Sequence, residues 1–178
     1  MLMHANNLAV VQAPNPILRS KTKPVKKITP DCLKLSRDMI KLTKTFIDPE
    51  GVGLAANQVG RDDCFFVAKQ GKKFITCFNP KILSYGDKKK IFFEGCLSIP
   101  NYYAYIKRPT KVTVEYQDET GQTITKKLGG TAAWIFQHET DHLNGKLFMD
   151  LALEQKGRIF KVTGKDRAGA DIFEEVEF

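Results

Sequence analysis

Five consecutive residues, His138-Glu139-Thr140-Asp141-His142, concentrate the side chains best suited to chemistry. Two imidazoles four residues apart on a helix share one face, about 6 Å apart along its axis, a spacing that suits two ligands of one metal ion. Glu139 projects beside them, placed to handle a proton of water at that metal. The chain has three histidines, and two of them are here. A solvated polar helix face is the plain alternative, but the flanking Trp134, Ile135, Phe136 and Leu143 mark a helix that is largely buried.

Two histidines leave such a site one ligand short, because catalytic metal sites usually carry three protein ligands and keep one position open. No histidine follows His142, and Glu154 downstream sits in a charged stretch. Upstream, Glu94-Gly95-Cys96-Leu97-Ser98 offers a thiolate at the end of an apolar strand, with a glycine that allows close backbone approach. Cys96 is therefore the best candidate for the third ligand. A further segment, Gly51-Val52-Gly53-Leu54-Ala55-Ala56-Asn57-Gln58, places two glycines one residue apart above small alanines. It reads as a substrate-facing loop that presents the Gln58 amide as a donor. A plain turn is the alternative, and a phosphate loop lacks its Gly-Lys-Ser/Thr continuation.

These residues need elements to hold them. Residues 1–30 read as an irregular arm broken by Pro14, Pro16, Pro24 and Pro30. Cys32, Leu35, Met39, Leu42 and Phe46 then recur at helical spacing, opened by Thr29-Pro30-Asp31 and closed by Asp48-Pro49-Glu50-Gly51. Residues 62–129 change to short strands, clearest at 65–68, 74–78, 91–93 and 111–116, with turns at Gln70-Gly71, Tyr85-Gly86-Asp87 and Glu119-Thr120-Gly121. The histidine helix is expected over about Thr131–Leu143, stopped by Asn144-Gly145. A short turn and two strand-like stretches, Arg158–Val162 and Ile172–Phe178, complete the chain. The fold class is thus α+β: short antiparallel sheets packed around a central helix that carries the two-histidine motif. With no repeat, low-complexity stretch or linker, residues 1–178 read as one catalytic domain.

Composition sets the class. At 42% hydrophobic and 27% charged residues, the chain is an ordinary globular protein, and no apolar run approaches the roughly 20 residues of a membrane span. Met1–Val11 lacks the pattern of a secretory signal, so a cytoplasmic location is expected, with an organelle left open. Cys32, Cys64 and Cys77 sit among apolar neighbours as expected of buried, reduced thiols, whereas Cys96 is flanked by glycine and, two residues on, serine. The formal charge of +8 is dispersed over Lys21–Lys27, Lys88–Lys90 and Lys156–Arg167. Such runs are usually solvated faces; the other reading is long-range attraction to an RNA-rich partner. No nucleic-acid module is visible, so no specific DNA partner is expected, and no membrane.

The three segments, in the order Gly51–Gln58, Glu94–Ser98 and His138–His142, resemble the three motifs of the peptide deformylases. Pro14–Arg19, Phe78-Asn79-Pro80 and His142–Phe148 also look like family sequence, so the resemblance covers about residues 9–152 and leaves a strand-like tail over 153–178. It implies removal of the formyl group from the N-terminal formyl-methionine of newly made polypeptides. It also implies one divalent metal on Cys96, His138 and His142, natively Fe2+ and replaceable by Ni2+, Co2+ or Zn2+. Ligand softness alone would have suggested zinc; iron comes from the resemblance. Glu139 would move the proton, and the Gln58 amide with the Leu97 N–H would stabilise the oxyanion.

Helix spacing sets Trp134 and Ile135 on the His138 face, where they would line an apolar pocket for the methionine side chain; ordinary core packing is the alternative for Trp134. Val52 and the backbone around Gly53 could pair with an extended peptide as an added strand. Asp141 needs a partner on a buried helix, and Arg108 is the candidate, as an anchor between helix and sheet.

The sequence also departs from the family. Asn57 stands where proline is common, which should alter loop stiffness more than chemistry. Tyr103 stands where many members carry arginine. The tail ends acidic and strand-like where many members carry a basic helix for the ribosome surface. The competing readings are a deacylase for another small N-acyl group and a peptide-binding module that has lost catalysis. A general endopeptidase fits less well, because its third ligand differs.

Overall fold

Three helices and nine strands make up the fold in a computed structural model that describes residues 8–176. Residues 1–7 of the expected arm and 177–178 of the expected last strand lie outside the described residues. Helix α1 (Pro30–Thr45) opens as expected: the Thr29 hydroxyl accepts the Cys32 N–H, and Pro30 occupies the first turn, where its missing N–H costs nothing. Its inner face carries Met39, and also Ser36 and Thr43, both buried; Ser36 bonds Thr76 across the interface at 2.7 Å.

Strands β1 (Gly53–Ala55), β2 (Phe65–Gln70), β3 (Lys73–Tyr85), β6 (Lys111–Gln117) and β7 (Thr123–Gly129) form one antiparallel sheet in the order β1-β2-β3-β6-β7. Strands β4 (Lys89–Cys96), β5 (Ile99–Pro109), β8 (Ile159–Lys165) and β9 (Asp171–Val176) form a second, in the order β4-β5-β8-β9. The motif helix α2 (Gly130–Leu143) and a short α3 (Phe148–Glu154) complete the set. The apolar side of α2, including Ala133, Ile135 and Phe136, packs on Phe66, Val112, Val114 and Tyr116 of the first sheet. Asn144-Gly145 stops the helix as expected, with Gly145 at φ 72° and no room for a side chain against the Arg19 backbone.

The α+β class stands, with several corrections of detail. The sheets are not uniformly short: β3 has 13 residues and β5 has 11. Strand β5 escapes a search for apolar alternation because its inward set is Ala104, Ile106 and Arg108, a buried cation in place of an aliphatic, while Tyr105 and Lys107 point outward. The expected turn after residue 147 contains α3, whose seven residues are too few for a periodic signal. The expected irregular arm holds one tight helical turn at Pro16–Arg19, capped by the Asn15 side chain. The glycine loop is in part an edge strand: Gly53–Ala55 pairs with Ala68–Phe66 and leaves its other side open.

Candidate metal centre

Each motif arrives on a different element. Strand β4 ends at Cys96, and its register against β5 slips between Gly95, opposite Tyr103, and Cys96, opposite Ile99. Extra residues on β5, with Asn101 at φ 67°, make the irregularity, a device that re-aims side chains beside sites. Helix α2 contributes both imidazoles. The ligand atoms of Cys96, His138 and His142 lie within 4.8 Å of one another, with Cys96 Sγ 3.2 Å from His142 Nε2. A thiolate with two imidazoles converging at that spacing is a donor set for a divalent cation. Burial is the main cause that holds His142 well below its usual pKa, a direction that favours the neutral imidazole ligation requires.

Glu139 lies under the same cavity, fully buried, and its Oε2 has no hydrogen-bond partner among the described residues. Desolvation is the main cause that raises its pKa to about 7, near the value a group needs to take and return a proton at neutral pH. Any side chain at Gly53 would overlap this carboxylate, which accounts for the second glycine of the loop. Gln58 is held by both ends of its amide. Its Oε1 accepts the Ala55 N–H at 2.9 Å, so Nε2 must face Cys96 Sγ, 3.4 Å away, and Ser98 Oγ, 3.0 Å away.

A cavity of about 170 Å³ joins these groups. Val52, Gly53, Gln58, Cys96, Leu97, Trp134, Ile135, His138 and Glu139 all line it, together with Phe93 and Tyr103. Trp134 borders the cavity, packs partly buried against the core and stacks on Phe92, with ring centroids 5.9 Å apart.

Behind the ligands lies a network that the sequence revealed only in part. Arg108 donates to Asp141 at 2.8 Å, the expected pair. It also makes a two-pronged bond to Glu94, at 2.5 and 3.0 Å, and Glu94 Oε2 lies 3.1 Å from His138 Nδ1. The sequence motif alone assigns Glu94 no role. The missed signal is its spacing from Cys96, since residues two apart on a strand face the same side. Glu94 is wholly buried, which opposes its ionisation, but the bonds to His138 and Arg108 outweigh that and keep it below the ordinary carboxyl pKa. A ring nitrogen held by a carboxylate turns the opposite nitrogen toward the cavity and fixes the tautomer. Asn57 was also underestimated. It is buried and donates to the His142 carbonyl at 2.5 Å, tying the loop to the end of α2, so more than loop stiffness depends on it.

Cys77 is buried among apolar groups, and desolvation pushes its thiol far up, so it stays protonated. Cys64 shifts the same way for the same reason.

A sequence model of the polypeptide deformylase family matches residues 7–158. The peptide deformylase of Rhizobium meliloti is 42% identical over 142 residues, covering 77% of this chain and 80% of the relative. That of Mesorhizobium japonicum is 39% identical over 164 residues, covering 87% and 92%. Among solved structures, the Thermotoga maritima peptide deformylase superposes with a TM-score of 0.76 at 38% identity, over 81% of this chain and 96% of that one. A plant peptide deformylase reaches 0.78 at 37% identity, over 87% and 85%.

Proposed function

The chain belongs to the polypeptide deformylase family, and on that premise we propose how its residues remove the N-formyl group from formyl-methionine at the start of new polypeptides. It is a metal-dependent amide hydrolase that releases formate. The observation that carries the reading is the convergence of Cys96, His138 and His142 beside the buried carboxylate of Glu139.

Cys96, His138 and His142 hold one divalent cation, Fe2+ in our reading, with Ni2+, Co2+ or Zn2+ able to replace it. The cation supplies Lewis acidity toward water and the formyl carbonyl. Glu139 accepts a proton from the attacking water and returns it to the departing amine. Gln58 Nε2 and the Leu97 N–H donate to the oxygen on which negative charge grows; the Ala55 N–H holds the Gln58 amide with its nitrogen end toward Cys96. Trp134 and Ile135 receive the methionine side chain. Val52 and Gly53 offer the open edge of β1 to the peptide backbone, which would add as a further strand.

The partners we propose are formylmethionyl nascent peptides, with contact to the ribosome surface. A groove lined by Lys89, Lys107, Lys156 and Arg158 supports that contact by its charge. No helix among the described residues is long and apolar enough to cross a membrane. A cytoplasmic setting, and a single catalytic domain spanning residues 1–178, belong to the same proposal.

The test is formate release from a short formyl-Met peptide by protein purified without oxygen, with metal quantified. Glu139→Gln should lower turnover about 10²- to 10⁴-fold while metal stays bound. Metal retained with undiminished turnover would remove Glu139 from the mechanism. A wild-type protein that cleaved acetyl-Met as readily as formyl-Met would favour the broader deacylase.

A further inference from the structure

Hairpin β8–β9 lies past the residues matched by the family model, yet it packs against residues that line the metal cavity. Phe173 on β9 sets its ring edge-on against Phe93 and Tyr103, with centroids 5.4 and 5.3 Å away. Phe93 and Tyr103 stack on each other at 5.3 Å, and both line the cavity that holds the ligands. Tyr103 packs so closely over Gly95 that any side chain there would begin 2.6 Å from its ring. The three rings thus form one aromatic cluster, in which Phe93 and Tyr103 line the cavity wall and the hairpin supplies Phe173 against them.

A second cleft, of about 330 Å³, continues outward from this wall. It shares Pro49, Cys96, Leu97 and Tyr103 with the metal cavity, and its far side is made by Val162, Lys165 and Asp171 of the hairpin. Lys165 lies 3.0 Å from Asp171 and 3.4 Å from Asp48, so the hairpin reaches across to the segment before the glycine loop. Those ion pairs are half exposed and weak, a latch and not a weld. Phe93 and Phe173 remain 40% and 41% exposed, so apolar ring surface is left beside the cavity for an occupant to cover.

We propose that the β8–β9 hairpin is a specificity element, forming the wall that receives the peptide residues following formyl-methionine and favouring an aromatic or large apolar side chain at the second or third position. The occupant follows from continuity. A peptide whose formyl carbon sits at the ligands and whose methionine fills the inner pocket has to leave along the cleft that begins at Cys96, Leu97 and Tyr103. The proposal rests on the deformylase reading.

The experiment measures kcat and KM of the metal-loaded full chain on formyl-Met-Ala-Ala, formyl-Met-Phe-Ala and formyl-Met-Ala-Phe, for wild type, Phe173→Ala and Phe173→Leu. Metal content and unfolding midpoint are recorded for each protein. We expect the wild type to prefer at least one aromatic peptide. Phe173→Ala should lower kcat/KM for that peptide about five- to tenfold, the value of one lost aromatic contact, through KM. Formyl-Met-Ala-Ala should change less than twofold, and Phe173→Leu should recover part of the loss. An equal loss on all three peptides would make Phe173 a merely structural brace and overturn the proposal. No loss on any peptide would also overturn it, because the hairpin would then not meet the substrate. A wild type that cleaves none of the three would remove the deformylase reading itself, and this proposal with it.

Discussion

The two sheets hold the same helix by opposite physical means. The first sheet meets α2 through Phe66, Val112, Val114, Tyr116 and Phe136, and Phe66 and Phe136 pack edge-to-face at 5.0 Å. The second meets it chiefly through Glu94 and Arg108, which bond His138 and Asp141, with one ring stack of Phe92 on Trp134 beside them. Apolar burial is non-directional and fixes roughly where the helix lies. Charged hydrogen bonds are directional and fix which way its imidazoles point. Stability and chemistry are thereby divided between the two sides of one helix, and substitutions on each side should separate them.

The largest effect belongs on the polar side. Arg108→Ala leaves Glu94 wholly buried without its cationic partner, and should cost about 3–5 kcal/mol of stability together with most of the bound metal. Chemical unfolding and metal analysis of the purified variant test this. Unchanged stability and unchanged metal would show that the network is not an anchor. On the apolar side, Phe136→Ala should lose a similar 3–5 kcal/mol by leaving a cavity in the core, but the folded fraction should still bind one metal per chain. Metal loss in parallel with the folded population would support the division, whereas metal loss from fully folded protein would break it.

The smallest effect tests the seam between the regions. Asn57→Ala deletes the bond to the His142 carbonyl, which keeps a second donor in the Gly145 N–H. About 1 kcal/mol of stability should go, with a faster loss of metal to a chelator as the clearer readout. An unchanged chelation rate would mean that Asn57 does not help hold the ligand end of α2.

Legibility of the molecule from its residues tracks the range of the forces involved. Helix α1 and the stop of α2 were readable because a Thr-Pro cap and an Asn-Gly end act within one turn of chain. The expected Arg108–Asp141 pair was found because a carboxylate on a buried helix demands a partner. Strand β5 was not readable, since alternation was sought in hydrophobicity and Arg108 occupies an inward position. The spacing of Glu94 from Cys96 tells only which side it faces; its partners arrive from residues 108 and 138, far along the chain. The hairpin is legible as two strands, but its ring contacts with Phe93 and Tyr103 join segments far apart in the chain.

By itself the sequence determined the kind of chemistry. A four-residue helical spacing, a thiolate after glycine and an amide behind a glycine loop are local patterns, and each constrains a ligand, a proton carrier or a donor by its own covalent geometry. The tertiary structure alone decided how those groups are aimed and what surrounds them: the desolvation that raises Glu139, the carboxylate that orients His138, the amide lock on Gln58, and the hairpin beside the pocket mouth. Each of those depends on atoms brought together from distant parts of the chain. Burial and bond direction exist only once the two sheets have closed on the helix.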